Sequence, residues 1–470
     1  NGTLANTQSL TLNAGSAGVV SVTGAVGQTT SLHTLTLTHS QGATFSSAVT
    51  ADTAVVLTNT AAGQTIRFAD DLHTDTLTTT ANGYHLELLG STTDVTTATT
   101  FLNTGDLKLG NAATDNLIFT GGLVATAPSS ISLGGTVSTS NAAITLGDAN
   151  TNVILNADTT LSSGSANLTV DGAVYGSHAL VLNSAGISTL TRRVGGNGQA
   201  LTSLTTNADG TLVINSGSVT TTGAQSYGET VSVSLGVDTT LTASRVTFNA
   251  PVTGAGYLHV VGDTTLHGGS ITTVDEQSYS GAVTLTANTV LDAGTADVTL
   301  SSTVDGAYSL EIRSAGVTTL GGAVGGTQAL TSLTTNAGGT LVIDGGRVTT
   351  TGAQSYGEAL TLGADTTLQS TASGHISFAQ TVDGAHALTV DTQGITTWGG
   401  RVGDSTALTR LTTMGASVIH GASVTTDGSQ TYGDEVTLGR DVTLRSLHDT
   451  ITFPRITDAQ GGFDLTLVSA

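Results

Sequence analysis

Cysteine is missing from all 470 residues, so neither a disulfide framework nor thiol chemistry operates in this chain. That absence suits a polypeptide exported unfolded through an oxidising compartment, where a premature disulfide would block passage. Charge is also scarce: 10% of residues carry it, against about a quarter in ordinary domains. Lys108 is the single lysine, and 34 acidic residues face 12 basic ones for a net charge of -22. This balance excludes nucleic acid as a partner, because neutralising phosphates takes clustered Lys and Arg. No apolar run approaches the ~20 residues of a membrane helix. Asn1 opens into polar, strand-like sequence with no signal peptide, so targeting parts are expected outside this chain.

Thr, Ser, Asn and Gly supply the polarity, and β-branched Thr and Val favour a pleated surface over a helix. With 61 glycines against 3 prolines, turns are frequent within ordered structure. The acidic residues sit singly in turns such as Asp305-Gly306 and Asp383-Gly384, a pattern of solvated loops that keep long rods apart. Calcium at such turns stays open as a ligand, although the nine-residue Gly- and Asp-rich calcium repeat does not occur. No cofactor is otherwise expected.

The tetrapeptide Gln225-Ser226-Tyr227-Gly228 returns at Gln277-Ser278-Tyr279-Ser280, Gln354-Ser355-Tyr356-Gly357 and Gln430-Thr431-Tyr432-Gly433, at spacings of 52, 77 and 76. Val-Asp-Gly-Ala occurs at Val170 to Ala173, Val304 to Ala307 and Val382 to Ala385, and Val-Gly pairs occur at Val194, Val324 and Val402. Read as two and three multiples of one unit, the spacings predict a rung of about 25 residues and roughly 18 rungs. A compact sandwich domain could not lose a third of itself, whereas a solenoid can lose a whole coil because each coil touches only its neighbours. Alternation such as Ala359-Leu360-Thr361-Leu362 between glycine turns supplies short half-buried strands. The expected fold is an all-β parallel β-helix. Residues 1-167 form its irregular part. Residues 168-470 form a regular part of 76-77-residue three-rung cycles with one 52-residue two-rung cycle. Both ends fall inside the repeat, which predicts either a longer natural polypeptide or chains stacking head to tail.

The cycle Thr381 to Val390, with Gly321 to Gly326, Leu330 to Asn336 and Thr349 to Gly357, resembles the repeat region of filamentous-haemagglutinin-like exoproteins and autotransporter passenger domains of Gram-negative bacteria. The resemblance covers the last 300 residues well and the rest loosely. It implies a right-handed β-helix, secretion across the outer membrane, an extracellular or cell-surface place, and a role in adhesion, biofilm or surface fibres. It brings no catalytic residues.

Candidate sites are few. Asp71, His73 and Asp75 alternate along a strand and would share a face, as the start of a metal site. Tyr227, Tyr279, Tyr356 and Tyr432 recur every two or three rungs, either filling turns or forming a periodic sugar-contact stripe. His178 and His386 hold a place that Tyr308 and Phe463 also take, so wall packing is expected of them. Polysaccharide lyases and hydrolases use β-helices too, but the basic residues are dispersed, with Arg192-Arg193 the only pair, and no local carboxylate cluster suggests catalysis. Thr34-Leu35-Thr36-Leu37-Thr38 has the local form of an ice-binding array without recurring at rung spacing. The reading is a non-enzymatic scaffold or stalk of a large bacterial surface or secreted adhesin fibre. Its alternative is a subunit of a self-assembling extracellular filament or sheath. The partners would be further repeats or copies of the polypeptide and a glycan or cell-surface receptor.

Overall fold

The computed structural model describes residues 8-196, 198-234, 237-254 and 256-469. Every regular element among them is a β-strand, and the strands pair in parallel. The chain divides into two compact units, Asn1–Ser244 and Arg245–Ala470. Residue 167, where the sequence predicts a change in regularity, falls inside the first.

Each unit is a β-solenoid whose coil has three sides. In the second unit one side runs Ile271, Leu291, Ile312, Thr335, Tyr356, Phe378, Trp398, Ile419, Leu438, each the partner of the next. A second side runs Tyr279, Leu300, Leu320, Ile343, Leu362. The third runs Val304, Val324, Val348, Leu368, Val390, Thr413, Tyr432. In the first unit the ladder Leu123, Ile144, Leu168, Ser188 shows the same stacking. Period-2 alternation drives it: strand Val436–Leu438 buries its two apolar ends and leaves Thr437 outside. Burying each Leu or Val contributes about 1.5–3 kcal/mol, and the next coil satisfies the backbone groups of the one before.

The parallel β-solenoid fold expected from the repeat is present, but the coil is shorter than expected. It holds about 21 residues, with about 22 turns along the chain, in place of about 25 and 18. The stretch from Tyr279 to Tyr356 crosses eleven sides of the triangle, which is three and two-thirds turns. The stretch from Tyr356 to Tyr432 crosses eleven more. The cycles are therefore not three rungs. Each one moves the tyrosine to a different side, because eleven is not a multiple of three.

A second correction concerns register. The counterpart of Val304-Asp305-Gly306 and Val382-Asp383-Gly384 is Val174-Tyr175-Gly176, since Val174, Val304 and Val382 pair with Val194, Val324 and Val402. The matching tetrapeptide at Val170 lies four residues out of phase. Gly176, Gly306 and Gly384 adopt φ of 122°, 136° and 126°. A Cβ there would meet the carbonyl oxygens of Leu155, Leu285 and Leu362 at 2.3, 2.2 and 2.4 Å, which only glycine avoids.

The turn carboxylates do more than face solvent. Asp305 accepts the backbone N–H groups of Thr327 and Gln328 at 2.8 and 3.0 Å, and Asp383 those of Ser405 and Thr406 at 2.9 and 3.2 Å. Asp158 and Asp365 accept from Ala179 and Ala387, each at 2.9 Å. Single acidic residues thus clamp one coil to the next, and the strength of a charge-assisted bond explains why carboxylates hold these positions.

Candidate functional site

The four repeat tyrosines are core residues. Tyr227, Tyr279 and Tyr356 are 0% exposed and Tyr432 is 1% exposed, so neither the sugar-contact stripe nor the turn-filling reading holds. Each phenol donates to the glutamine two residues earlier: Tyr227 to Gln225 Oε1 at 2.8 Å, Tyr279 to Gln277 at 3.1 Å, Tyr356 to Gln354 at 2.8 Å, Tyr432 to Gln430 at 3.3 Å. Each glutamine Nε2 donates to the carbonyl six residues before it, that of Val219, Ile271, Val348 or Val424. The same amide reaches the carbonyl of Thr242, Asp292, Gln369 or Arg445. This polar bridge is closed on itself inside an apolar core, and burial pushes all four phenols well above their ordinary pKa. Tyr356 also stacks on Phe378 at 5.3 Å between centroids, and Phe378 on Trp398 at 4.6 Å.

Asp71, His73 and Asp75 are not brought together. Asp71 precedes strand Leu72–Thr78, and its carboxylate turns to the next coil, accepting from Ser91 Oγ at 3.0 Å and Thr92 N at 2.8 Å. His73 and Asp75 share a shallow recess of about 320 Å³ with Asp52 and Asp94. Among the described residues no three His, Cys, Asp or Glu side chains are placed to hold a metal ion. The alternation argument assumed that Asp71 continued the strand, whereas the strand begins at Leu72 and the Asp71 carboxylate is taken up by Ser91 and Thr92. His178 and His386 lie on the outer wall, beside Asp158 and Asp365 of the preceding coil at 3.7 and 3.6 Å.

Thr34 and Thr36 face Ala54 and Val56, so the threonine pattern there ends after one neighbour. An outward threonine column does form elsewhere: Thr367, Thr389, Thr412, Thr431 and Thr452 are successive partners. Its members are unevenly spaced along the chain, so a search on a fixed repeat length passes over them.

Two glutamates face inward. Glu229 and Glu358 are 1% exposed, and burial pushes each carboxyl up to about 7. Both follow a Tyr-Gly pair, and each lies beside a threonine hydroxyl of the preceding coil, Thr206 or Thr335.

A surface depression of about 590 Å³ lies in the first unit. It spans stacked coils, since Ala173 to Tyr175 pair with Asn152 to Ile154, and Val174, Val194 and Val219 are successive partners. Arg192, Arg193, Tyr175, Asn150, Asn152 and Asn215 line it. A second recess of about 290 Å³ adjoins it, sharing Asn152 and Tyr175 and adding Ile154 and Gln199. The arginine pair was visible in the sequence, but its companion Tyr175 was hidden by the register error at Val170.

No protein family, no curated protein and no solved structure matches this chain, and what the structure shows is a β-solenoid of about 22 turns.

Proposed function

We propose that this chain is a non-catalytic structural scaffold, the stalk of a large filamentous-haemagglutinin-like adhesin fibre exposed on, or secreted from, a bacterial cell. The observation that carries the reading is the continuity of the ladders: each coil's backbone is bonded to the coils on either side, and the inward Gln354 and Tyr356 are hydrogen-bonded to each other within the core. Such a coil stack can be lengthened without redesign, the property a stalk needs. The turn carboxylates support it, because they are spent on clamping coils. Further repeats of the same polypeptide would continue the ladders end to end.

Immunogold labelling of producing cells with antibody to this segment tests the reading. Label along extracellular fibres is the expected result, and label confined to the cytoplasm would overturn it.

A further inference from the structure

The internal repeat supplies three copies of one surface position, and the copies differ in charge. Val194, Val324 and Val402 are equivalent inward residues. The two residues before them are Arg192-Arg193, Gly322-Ala323 and Gly400-Arg401. One coil earlier, the residue after the equivalent valine is Tyr175, Asp305 or Asp383. Two strands later, after the Leu-Val-Ile or Ser-Val-Ile run, stands Asn215, Asp344 or His420. The first copy therefore replaces Asp with Tyr and Asp with Asn where the second copy keeps both carboxylates, and it places two guanidiniums where the second copy has Gly322 and Ala323, the second copy carrying one guanidinium, Arg347, at the place of Ser218. In a chain of net charge -22, the first copy is a local inversion of sign.

The inversion coincides with the depression of about 590 Å³. Ala173 and Gly217 leave its lining low, and Tyr175 stands where it meets the adjoining recess. The carboxylate that acts on Arg192, Asp148, is committed to its own turn, accepting from Thr151 Oγ1 at 2.7 Å and Asn150 N at 2.8 Å. The Thr151 hydroxyl is the main reason that this carboxyl lies below its ordinary range, with the Asn150 N–H next and the Arg192 charge a minor contributor.

We infer that the paired recesses around Tyr175, Arg192 and Arg193 bind a short acidic saccharide. The guanidiniums match carboxylate or sulfate groups with forked donors. Tyr175 offers an aromatic body with a polar tip to a sugar ring. Asn150, Asn152 and Asn215 provide amides that both donate to and accept from hydroxyls. The volume of about 590 Å³ lies within the roughly 300–1,000 Å³ of small-ligand sites, and two adjoining recesses separated by one ring suit successive sugar units. The inference holds whether or not the solenoid is a stalk.

Calorimetric titration of the full chain with short uronate-containing, sulfated and neutral oligosaccharides tests it, with inorganic sulfate as the anion control. The acidic saccharides are expected to bind, more weakly as salt rises, and the neutral ones not. The double variant Arg192→Ala, Arg193→Ala should weaken binding by about tenfold or more, and Tyr175→Ala should weaken it without changing the salt dependence. Arg401→Ala, at the equivalent place in the third copy, should leave binding unchanged, and unaltered thermal unfolding shows that each variant remains folded. The inference is overturned if no acidic saccharide binds, if neutral ones bind equally, if the folded double variant binds as the parent does, or if inorganic sulfate binds as well as the saccharides.

Discussion

The carboxyl of Glu358 accepts a hydrogen bond from the hydroxyl of Thr318 at 3.3 Å, across 40 residues of sequence. Among the described residues its other oxygen is buried without a hydrogen-bond partner, as are both carboxyl oxygens of Glu229. Burial in this setting disfavours the charged form of the acid.

That setting makes stability depend on pH in an unusual direction. The folded carboxyls titrate at about 7 against an ordinary 4.5, so the folded chain binds protons that the unfolded chain has released. The stabilisation is fully present below about 4.5 and is lost as pH rises to about 7, at most on the order of 3 kcal/mol per glutamate. Glu358→Gln and Glu229→Gln should each flatten the decline in thermal stability between pH 5 and 8 and raise stability at pH 8. An unchanged slope in the double variant contradicts the assignment.

The Gln354 and Tyr356 pair should behave as one unit. Tyr356→Phe removes one bond and should cost about 1 kcal/mol. Gln354→Leu orphans the phenol and withdraws a donor from two carbonyls, and should cost about 2–3 kcal/mol. Denaturant unfolding of the singles and the double should give a coupling above about 0.5 kcal/mol, and strict additivity would contradict the closed bridge.

Trp398 ends the three-ring stack with its indole Nε1 buried and unpartnered among the described residues. Trp398→Ala should cost about 3–5 kcal/mol. Trp398→Phe keeps a ring on Phe378 and removes the orphaned donor, so its cost should stay below about 1.5 kcal/mol. Denaturant melts followed by circular dichroism compare the two, and equal losses would contradict the stacked arrangement.

Coil length is testable by excision. Ile376 pairs with Thr396 and Phe378 with Trp398, so deleting residues 376-395 places Thr396 opposite Gln354 and Trp398 opposite Tyr356. Cooperative unfolding should survive. Deleting 376-400 instead sends Arg401 and Gly403 to those inward places and should abolish it. If both deletions unfold alike, the solenoid period is wrong.

Fold class was legible because alternation and glycine turns report local geometry, as in Ala359–Leu362 with Leu360 and Leu362 buried. The period was not, because the markers recur only once in several coils, and dividing their spacing by three assumed that Tyr279, Tyr356 and Tyr432 share a side. They occupy three different sides, which spacing alone cannot reveal. Site reading failed for a related reason. An aromatic flanked by polar residues looks exposed in sequence, but Gln354 supplies the partner that lets Tyr356 go inside. Tyr175 became interpretable only once Val174 was aligned with Val304 and Val382.

Eleven sides per cycle on a three-sided coil make the repeat a screw. A feature carried by every cycle returns to the same side only after three cycles, eleven turns on, about 53 Å by the ~4.8 Å strand spacing. A flat partner lying along one side would meet such a feature at that long interval and otherwise see two unrelated surfaces. Duplicating one whole cycle therefore lengthens the coil without building a row of identical sites, so length and binding valency can evolve separately.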